Sequence, residues 1–128
     1  MNMVPTGRGS ILLVDNELDI INSIKRWLKA AGFMGHGFTD PLKALQYFEE
    51  NYDKIDLVLS DIKMSKMNGY ELVRRIKTIR PETKVIFMTA LETDRTEVSK
   101  ILPSINIDGF LVKPGSLENL VNTIKKII

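Results

Sequence analysis

Five side chains that can do chemistry stand at or just after apolar runs of the sequence. Asp15 and Asn16 follow the first run, Asp61 the third, Thr89 the fourth and Lys113 the fifth. The runs cover residues 11–14, 33–38, 55–59, 85–88 and 110–112. In a parallel sheet the carboxyl ends of the strands meet at one edge, so these side chains would share one shallow pocket.

The pocket would combine groups that suit a metal ion with groups that suit an anion. Carboxylate and carboxamide oxygens are ligands for a hard cation such as Mg²⁺, which takes one or two carboxylates and keeps several waters. Lysine and threonine suit an incoming anionic oxygen, such as that of a phosphoryl group. Clustered carboxylates would repel a phosphate unless a cation lay between them. The set therefore predicts a site where a metal lets a phosphoryl group meet a carboxylate.

Asp61 is the best candidate for a carboxylate nucleophile, which would become an aspartyl phosphate. It lies at the mouth of the most continuous apolar strand, in the segment DLVLSDIKMSKMNGYEL. The loop after it ends in Asn68-Gly69, which is a turn signal.

The elements that must position these residues alternate along the chain. Between the apolar runs, hydrophobic residues recur at helical spacing in four stretches and more weakly in a fifth, at 92–102. Asp40-Pro41 and Ser116 are typical helix starts, and Pro81 is typical of a helix end. Strands that alternate with helices predict an α/β, doubly wound (βα)5 domain, with a five-stranded parallel sheet and helices on both faces.

Composition favours a single domain and excludes several kinds of site. The 128 residues are enough for one core, and we predict a disordered lead at 1–9 and one folded domain at 10–128. The chain has no cysteine, which excludes disulfides and thiolate metal sites, and its net charge of +2 is too small to argue for nucleic acid. No apolar run approaches the roughly 20 residues of a membrane span, so the expected location is the cytoplasm.

Taken together, these motifs resemble a response-regulator receiver domain of two-component signalling. The resemblance covers nearly everything from residue 11 to residue 128 and implies the chemotaxis-regulator-like, flavodoxin-like fold. The acidic pair of that family falls on Asp15 and Asn16. The phosphoacceptor falls on Asp61, in a segment similar to D-x-x-M-P-x-x-[DN]-G. Such a protein would be a signalling switch that carries phosphotransfer chemistry on itself, and not an enzyme.

The last two strands carry the other residues that match the family. The switch hydroxyl falls on Thr89, within VIFMTA, and the invariant lysine on Lys113, within GFLVKP. The resemblance implies that Thr89, Ala90 and Lys113 bind the phosphoryl group and that Thr89 and Phe110 form the switch.

The same resemblance implies the partners and the cofactor. A histidine kinase or histidine phosphotransfer protein would donate the phosphoryl group to Asp61. The implied ligands of Mg²⁺ are Asp15, Asn16, Asp61 and the backbone carbonyl of Lys63. Phosphorylation would switch the surface of the fourth predicted helix, the fifth strand and the last helix, which a downstream effector protein or domain reads. A homodimer through that surface is a further implied partner, whereas nucleic acid and membrane contacts are not expected.

Four positions depart from the family pattern or add to it. Asn16 stands where the family's second acid ligates Mg²⁺, so we expect weaker metal binding. Ser65 replaces a proline, which should loosen the loop after Asp61. Phe110 stands in place of the common tyrosine. The side chain of Lys63 could reach over the pocket and replace part of the metal's charge.

Three alternatives remain open from the sequence. Asn16 and Ser65 also suit a pseudo-receiver, which would be a phosphorylation-independent interaction module. An enzyme of the same topology is disfavoured, because a flavin protein would not have an acidic first loop and a phosphohydrolase would need room for a cap domain. Asp15 and Asn16 could simply cap the first helix. We also expect His36 to be a lone exposed histidine and Trp27 to be a packing residue and not part of a cofactor site.

Overall fold

The computed structural model describes residues 9–89, 106–113 and 115–128. Its five strands are β1 (Ser10–Val14), β2 (Met34–Phe38), β3 (Leu57–Asp61), β4 (Lys84–Thr89) and β5 (Gly109–Val112). The helices in these ranges are α1 (Leu18–Ala30), α2 (Pro41–Asn51), a short 3-10 helix (Tyr52–Lys54), α3 (Gly69–Ile79) and α4 (Leu117–Ile127). Here α4 is the last predicted helix, while the weak helix predicted at 92–102 lies outside the described residues.

The five strands form one parallel sheet in the order β2-β1-β3-β4-β5. The chain leaves β1 towards β2 on one side and continues from β3 to β5 on the other side. The order therefore reverses between β1 and β3, and a doubly wound sheet binds ligands at the carboxyl ends of strands at such a point. The predicted doubly wound, flavodoxin-like α/β fold is confirmed.

Alternate strand residues build a core on each face of the sheet. On one face Leu12, Val58 and Phe87 pack with the apolar sides of α2 and α3. On the other face Leu13 and Ile86 pack with α1 and α4. Because both faces are covered, the central strands are mostly apolar, as the sequence pattern indicated.

Three helices start at a polar side chain that accepts a hydrogen bond from the first turn. Asp40 accepts from the backbone N–H of Leu42, Asn68 from Glu71 and Ser116 from Asn119. The predicted starts at Asp40 and Ser116 are confirmed. In the described part of the chain the longest helix has 13 residues, and none is long and apolar enough to cross a membrane.

Two aromatic residues do not lie where the sequence predicted. Trp27 was expected to be a packing residue but is 44% exposed on the outer side of α1. His36 was expected to be exposed but is half-buried, with its ring centroid 5.2 Å from that of Tyr47. Burial, and secondarily the charge of Lys25, lowers the pKa of His36. The neighbouring Gly37 allows α1 to pack closely on β2, because a Cβ at this position would lie 2.3 Å from the Ile21 side chain of α1.

Candidate functional site

Four of the predicted residues stand at the carboxyl ends of neighbouring strands. Asp15 follows β1 directly, and Asp61 is the last residue of β3. Thr89 is the last residue of β4, and Lys113 follows β5. In the sheet register Asp61 is opposite Met88, the residue before Thr89, and Thr89 is opposite the residue before Lys113. The predicted convergence on one edge of the sheet is therefore present.

The side chain of Lys113 links the carboxyl ends of β1 and β3. Its Nζ donates to Asp15 Oδ2 at 2.7 Å and lies 3.4 Å from Asp61 Oδ2. Its backbone N–H donates to the carbonyl of Thr89, which continues the ladder between β4 and β5 by one residue. The ammonium thus lies between the two carboxylates, where it offsets their mutual repulsion.

Asp15 is nearly inaccessible to solvent and both of its carboxylate oxygens are engaged. The residue is 1% exposed, and Oδ1 accepts a hydrogen bond of 2.8 Å from the backbone N–H of Glu17. Glu17 is the N-cap of α1, and its own side chain makes no capping hydrogen bond. Asp15 therefore organises the start of the helix indirectly, while its second oxygen holds Lys113.

Asp61 is held by the backbone on one side and faces the charged pocket on the other. Its Oδ1 accepts a hydrogen bond of 2.8 Å from the N–H of Ile62. Its carbonyl oxygen accepts from the buried hydroxyl of Ser60 at 2.8 Å. A Cβ at Gly69 would lie 2.3 Å from that carbonyl oxygen, so the first residue of α3 must be glycine for the helix to start here.

Asn16 completes the pocket with an amide group that faces both acids. With its nitrogen inward, the amide donates to Asp61 Oδ2 at 3.2 Å and to Asp15 Oδ1 at 3.3 Å. The opposite orientation would place an oxygen against two carboxylate oxygens, so the hydrogen bonds determine the orientation. Asn16 therefore acts as a donor in this arrangement.

The carboxylates and the ammonium influence one another's protonation. Burial, and secondarily the charge of Asp15, raises the pKa of Asp61, although Lys113 opposes the shift. Burial alone would lower the pKa of Lys113, but the hydrogen bond that its ammonium donates to Asp15 and the charges of both acids outweigh this effect and raise that pKa. Lys113 is therefore charged at neutral pH, and Asp61 is a more basic carboxylate than an exposed one.

The donor set fits Mg²⁺ if the carboxamide turns. Two carboxylates and one amide oxygen are hard ligands, as this cation requires. Within residues 9–89, 106–113 and 115–128, no three acidic or histidine side chains cluster. The pocket therefore has two formal negative charges before Lys113 offsets one of them. Asp15, Asp61 and a rotated Asn16 would hold the ion.

The other predicted residues have a less defined place in the site. Phe110 is half-buried in β5 and lines, together with Lys113, a groove of about 570 Å³ between α1, β5 and α4. Thr89 is 1% exposed. Lys63 lies on the loop two residues after Asp61. Ala90 lies outside the described residues, so its predicted role stays a prediction.

Several contacts of the site were not predicted from the sequence. Ser60 and Ile62 support Asp61, and Gly69 lies against its carbonyl. The Asn68-Gly69 turn signal indicated a chain reversal, but the close approach of the returning helix to Asp61 depends on the tertiary fold. The amide of Asn16 was expected to offer its oxygen and offers its nitrogen.

Comparison with known proteins gives the chain a clear likeness. Residues 11–125 match the family model of the response regulator receiver domain. The chain is 32% identical over 123 residues to the sensor kinase CckA of Brucella abortus, across 96% of this chain and 13% of that protein. It is 30% identical over 125 residues to the response regulator receiver protein CpdR of the same species, across 92% of this chain and 95% of that protein.

The likeness extends to solved structures. A response regulator receiver domain protein from Clostridium thermocellum aligns with a TM-score of 0.86 and 30% identity, over 94% of each chain. The present chain spans only 13%, 26% and 56% of the length of the first three curated relatives it matches. The likeness therefore concerns one domain of those longer proteins.

Proposed function

The chain belongs to the response-regulator receiver family, and on that premise we propose that it accepts a phosphoryl group on Asp61 from a histidine kinase or histidine phosphotransfer protein. Receiver domains are signalling domains, generally not enzymes, and they work with histidine kinases and downstream effectors. The further claims are the identity of the phosphoacceptor, the use of Mg²⁺ and the self-catalysed transfer. Each of them is supported by the arrangement of the pocket.

The single observation that carries the proposal is the position of the Lys113 ammonium. It lies 2.7 Å from Asp15 and 3.4 Å from Asp61, between two buried acids at the end of the sheet. Because Asp15 holds the ammonium beside Asp61, the ammonium can pair with a phosphoryl oxygen as soon as a phosphoryl group is attached to Asp61. A merely structural ion pair would need only one of the two acids.

The transfer would use the oxygen of Asp61 that is not held by the backbone. Oδ1 accepts the hydrogen bond from Ile62, whereas Oδ2 faces Lys113 and Asn16. We propose that Oδ2 attacks phosphorus while the bond from phosphorus to the donor histidine nitrogen breaks. The electron pair of that bond returns to the imidazole, and the product is an aspartyl phosphate.

The residues around Asp61 would divide the remaining work. When bound, Mg²⁺ neutralises negative charge between the phosphoryl oxygens and the carboxylates. Asp15, Asn16, Asp61 and the backbone carbonyl of Lys63 are its proposed ligands. Lys113 would pair with a phosphoryl oxygen, and burial of Asp61 keeps its carboxylate basic and therefore nucleophilic.

The output would follow the family pattern. Thr89, with Ala90, would bind the phosphoryl group, and Phe110 would turn inward beside the groove that it lines. The surface that includes β5 and α4 would then present a second conformation to an effector protein, or to a second copy of the chain. The cytoplasmic location remains a prediction from the sequence.

The test is phosphorylation by a small-molecule donor. The protein is incubated with acetyl phosphate and Mg²⁺, and its intact mass is measured beside that of Asp61→Asn. The expected result is a gain of one phosphoryl group in the natural sequence and no gain in the variant. When EDTA is present during the incubation, neither protein should gain a phosphoryl group.

Two results would contradict the proposal in different ways. No gain at any Mg²⁺ concentration would refute the phosphoacceptor function and favour the pseudo-receiver. The comparisons with known proteins do not favour a pseudo-receiver over a phosphoacceptor. A gain that persists in Asp61→Asn would show that another residue is the acceptor.

A further inference from the structure

The loop between Asp61 and α3 contains a strained turn. Lys66 has a φ of 72°, in the left-handed region that residues with a Cβ rarely adopt. The N–H of Met67 donates to the carbonyl of Ser65 at 2.8 Å, which closes a three-residue turn around Lys66. A γ-turn whose central residue has positive φ is rare and unfavourable. Such a conformation persists only where the surroundings enforce it.

Both ends of the loop are anchored in the core and Met64 packs against it, whereas Ser65 and Lys66 are exposed. Ile62 and Met67 are buried in the same hydrophobic cluster. The N–H of Gly69 donates to the carbonyl of Ile62 at 2.7 Å, which draws the ends of the loop together. Between the anchors, Ser65 stands where the family pattern has a proline, so the chain lacks the fixed φ that a proline would supply.

The side chain of Lys66 supplies a contact at this point. Its Nζ donates to Asp40 Oδ2 at 2.8 Å, across 26 residues of sequence. The other oxygen of Asp40 accepts from the N–H of Leu42 as the N-cap of α2. One carboxylate therefore starts α2 and holds the loop. The hydrogen bond from Lys66, followed by that from Leu42, lowers the pKa of Asp40, as expected for a carboxylate that accepts both.

We propose that Lys66 and Asp40 form a strap that holds the loop after Asp61 against the start of α2, which makes Lys66 a positioning residue for the site. The strap replaces the conformational restraint of the missing proline with an ion pair. It maintains the strained turn and, through it, the placement of the loop backbone that includes the carbonyl of Lys63. This last consequence rests on the proposed function, because it concerns the binding of Mg²⁺.

The chain offers variants that separate the strap from the other roles of its members. Asp40→Asn keeps an oxygen for the N–H of Leu42, because asparagine is as good an N-cap as aspartate, but it removes the charge that Lys66 needs. Lys66→Met keeps the length and the Cβ of the side chain and removes the ammonium. Lys66→Arg restores the charge. Lys43→Gln is the charge-matched control, since it removes one exposed cation from α2 and leaves the strap intact.

The experiment uses the full chain and begins without metal or phosphate. Amide hydrogen exchange is measured by NMR at Gly69, whose N–H closes the loop, and at Ala44, whose N–H lies in the first turn of α2. We expect Gly69 to exchange at least about fivefold faster in Lys66→Met and in Asp40→Asn, and at the natural rate in Lys66→Arg and Lys43→Gln. Ala44 should be unchanged in Asp40→Asn because the cap is kept.

Two further measurements test the ion pair and its consequence. A carboxyl titration by NMR should show that the pKa of Asp40 rises towards its ordinary value of 3.8 in Lys66→Met and not in Lys66→Arg. The dissociation constant of Mg²⁺, measured by calorimetry, should increase several-fold in both Lys66→Met and Asp40→Asn. The double variant should bind Mg²⁺ no more weakly than either single variant, because both substitutions remove the same ion pair.

The outcomes distinguish the strap from the proposed function. An unchanged pKa of Asp40 in Lys66→Met would overturn the ion pair, and unchanged exchange at Gly69 in both variants would overturn its role in holding the loop. Both are read on the metal-free, unphosphorylated protein. If the pKa of Asp40 and the exchange at Gly69 change as expected, but the natural sequence binds no Mg²⁺ and gains no phosphoryl group, the strap is supported and the proposed function is refuted.

Discussion

The substitution Asn16→Asp tests the electrostatic design of the pocket most directly. In the metal-free protein the amide nitrogen lies 3.2 Å from Asp61 Oδ2 and 3.3 Å from Asp15 Oδ1. A carboxylate oxygen at the same place would replace two hydrogen bonds with two like-charge contacts. Each contact would cost about 5 kcal/mol at an effective dielectric constant of about 20 if nothing moved.

Relaxation reduces this penalty considerably. Asn16 is exposed, so the new carboxylate can turn outward, and at about 6 Å each repulsion falls to about 3 kcal/mol before screening by water. The ammonium of Lys113 offsets a further part. We expect a net loss of about 1–2 kcal/mol in the free energy of unfolding without metal, which corresponds to a melting temperature lower by roughly 3–10 °C.

Metal binding should reverse the sign of the effect. Mg²⁺ relieves the repulsion of the added charge, so the 1–2 kcal/mol lost in the metal-free state returns as affinity, about 5- to 30-fold in the dissociation constant. Thermal unfolding in EDTA and in saturating Mg²⁺, combined with a calorimetric titration, measures both quantities. The difference in melting temperature between the two conditions should be larger in Asn16→Asp than in the natural sequence.

A control variant separates the local effect from net charge. Asn22→Asp adds the same charge at an exposed position on the outer side of α1 and should leave Mg²⁺ affinity almost unchanged. If Asn16→Asp melts at the natural temperature in EDTA and binds Mg²⁺ no more tightly, then Asn16 does not face the two acids and the arrangement described for the pocket is wrong.

Three other substitutions test the neighbouring contacts. Asp61→Asn should raise the melting temperature of the metal-free protein at pH 7, because the raised pKa of Asp61 means that its ionised form is disfavoured in the folded state. This gain should disappear as the pH falls below the ordinary value of 3.8, where Asp61 becomes protonated in both the folded and the unfolded state, and an equal gain at pH 7 and below 3.8 would contradict the shift. Lys113→Met should lower the free energy of unfolding, measured with urea, by about 2–3 kcal/mol, because it leaves buried Asp15 without its cation. Adding Asp15→Asn to this variant should recover part of the loss. Gly69→Ala should lower the free energy of unfolding by about 2–3 kcal/mol and slow phosphorylation, because the Cβ of the alanine would lie 2.3 Å from the carbonyl oxygen of Asp61. Gly32→Ala, at a φ of 93° with open space around it, should cost only about 1 kcal/mol, and similar losses at the two glycines would argue against the close approach.

The sequence predicted the sheet well because apolar runs record burial directly. The third strand shows where this signal stops. It was predicted at 55–59 but spans Leu57–Asp61, because Ile55 is buried in the segment that joins the 3-10 helix to β3 and not in the sheet. Burial without strand geometry has the same sequence signature as a strand residue.

The contacts within the site depend on distances that no sequence pattern encodes. Lys66 and Asp40 are 26 residues apart, and each is an ordinary polar residue in its own segment. The orientation of the Asn16 amide depends on where two carboxylates converge after folding. Trp27 fits the apolar spacing of α1 but lies at the edge of its buried stripe, where periodicity cannot separate a packed ring from an exposed one.

The two departures that raised the pseudo-receiver alternative have compensating neighbours in the structure. Asn16 removes a charge from the pocket, but its amide links the two remaining acids, so Asp15 and Asp61 stay close enough to share one cation. Ser65 removes a rigid residue from the loop, but Lys66 ties that loop to Asp40. A chain that had lost the need for phosphorylation would not require either compensation, because an interaction module uses its surface and not the geometry around a buried carboxylate. These contacts therefore support the proposed phosphoacceptor function, with weak metal binding, over the pseudo-receiver alternative.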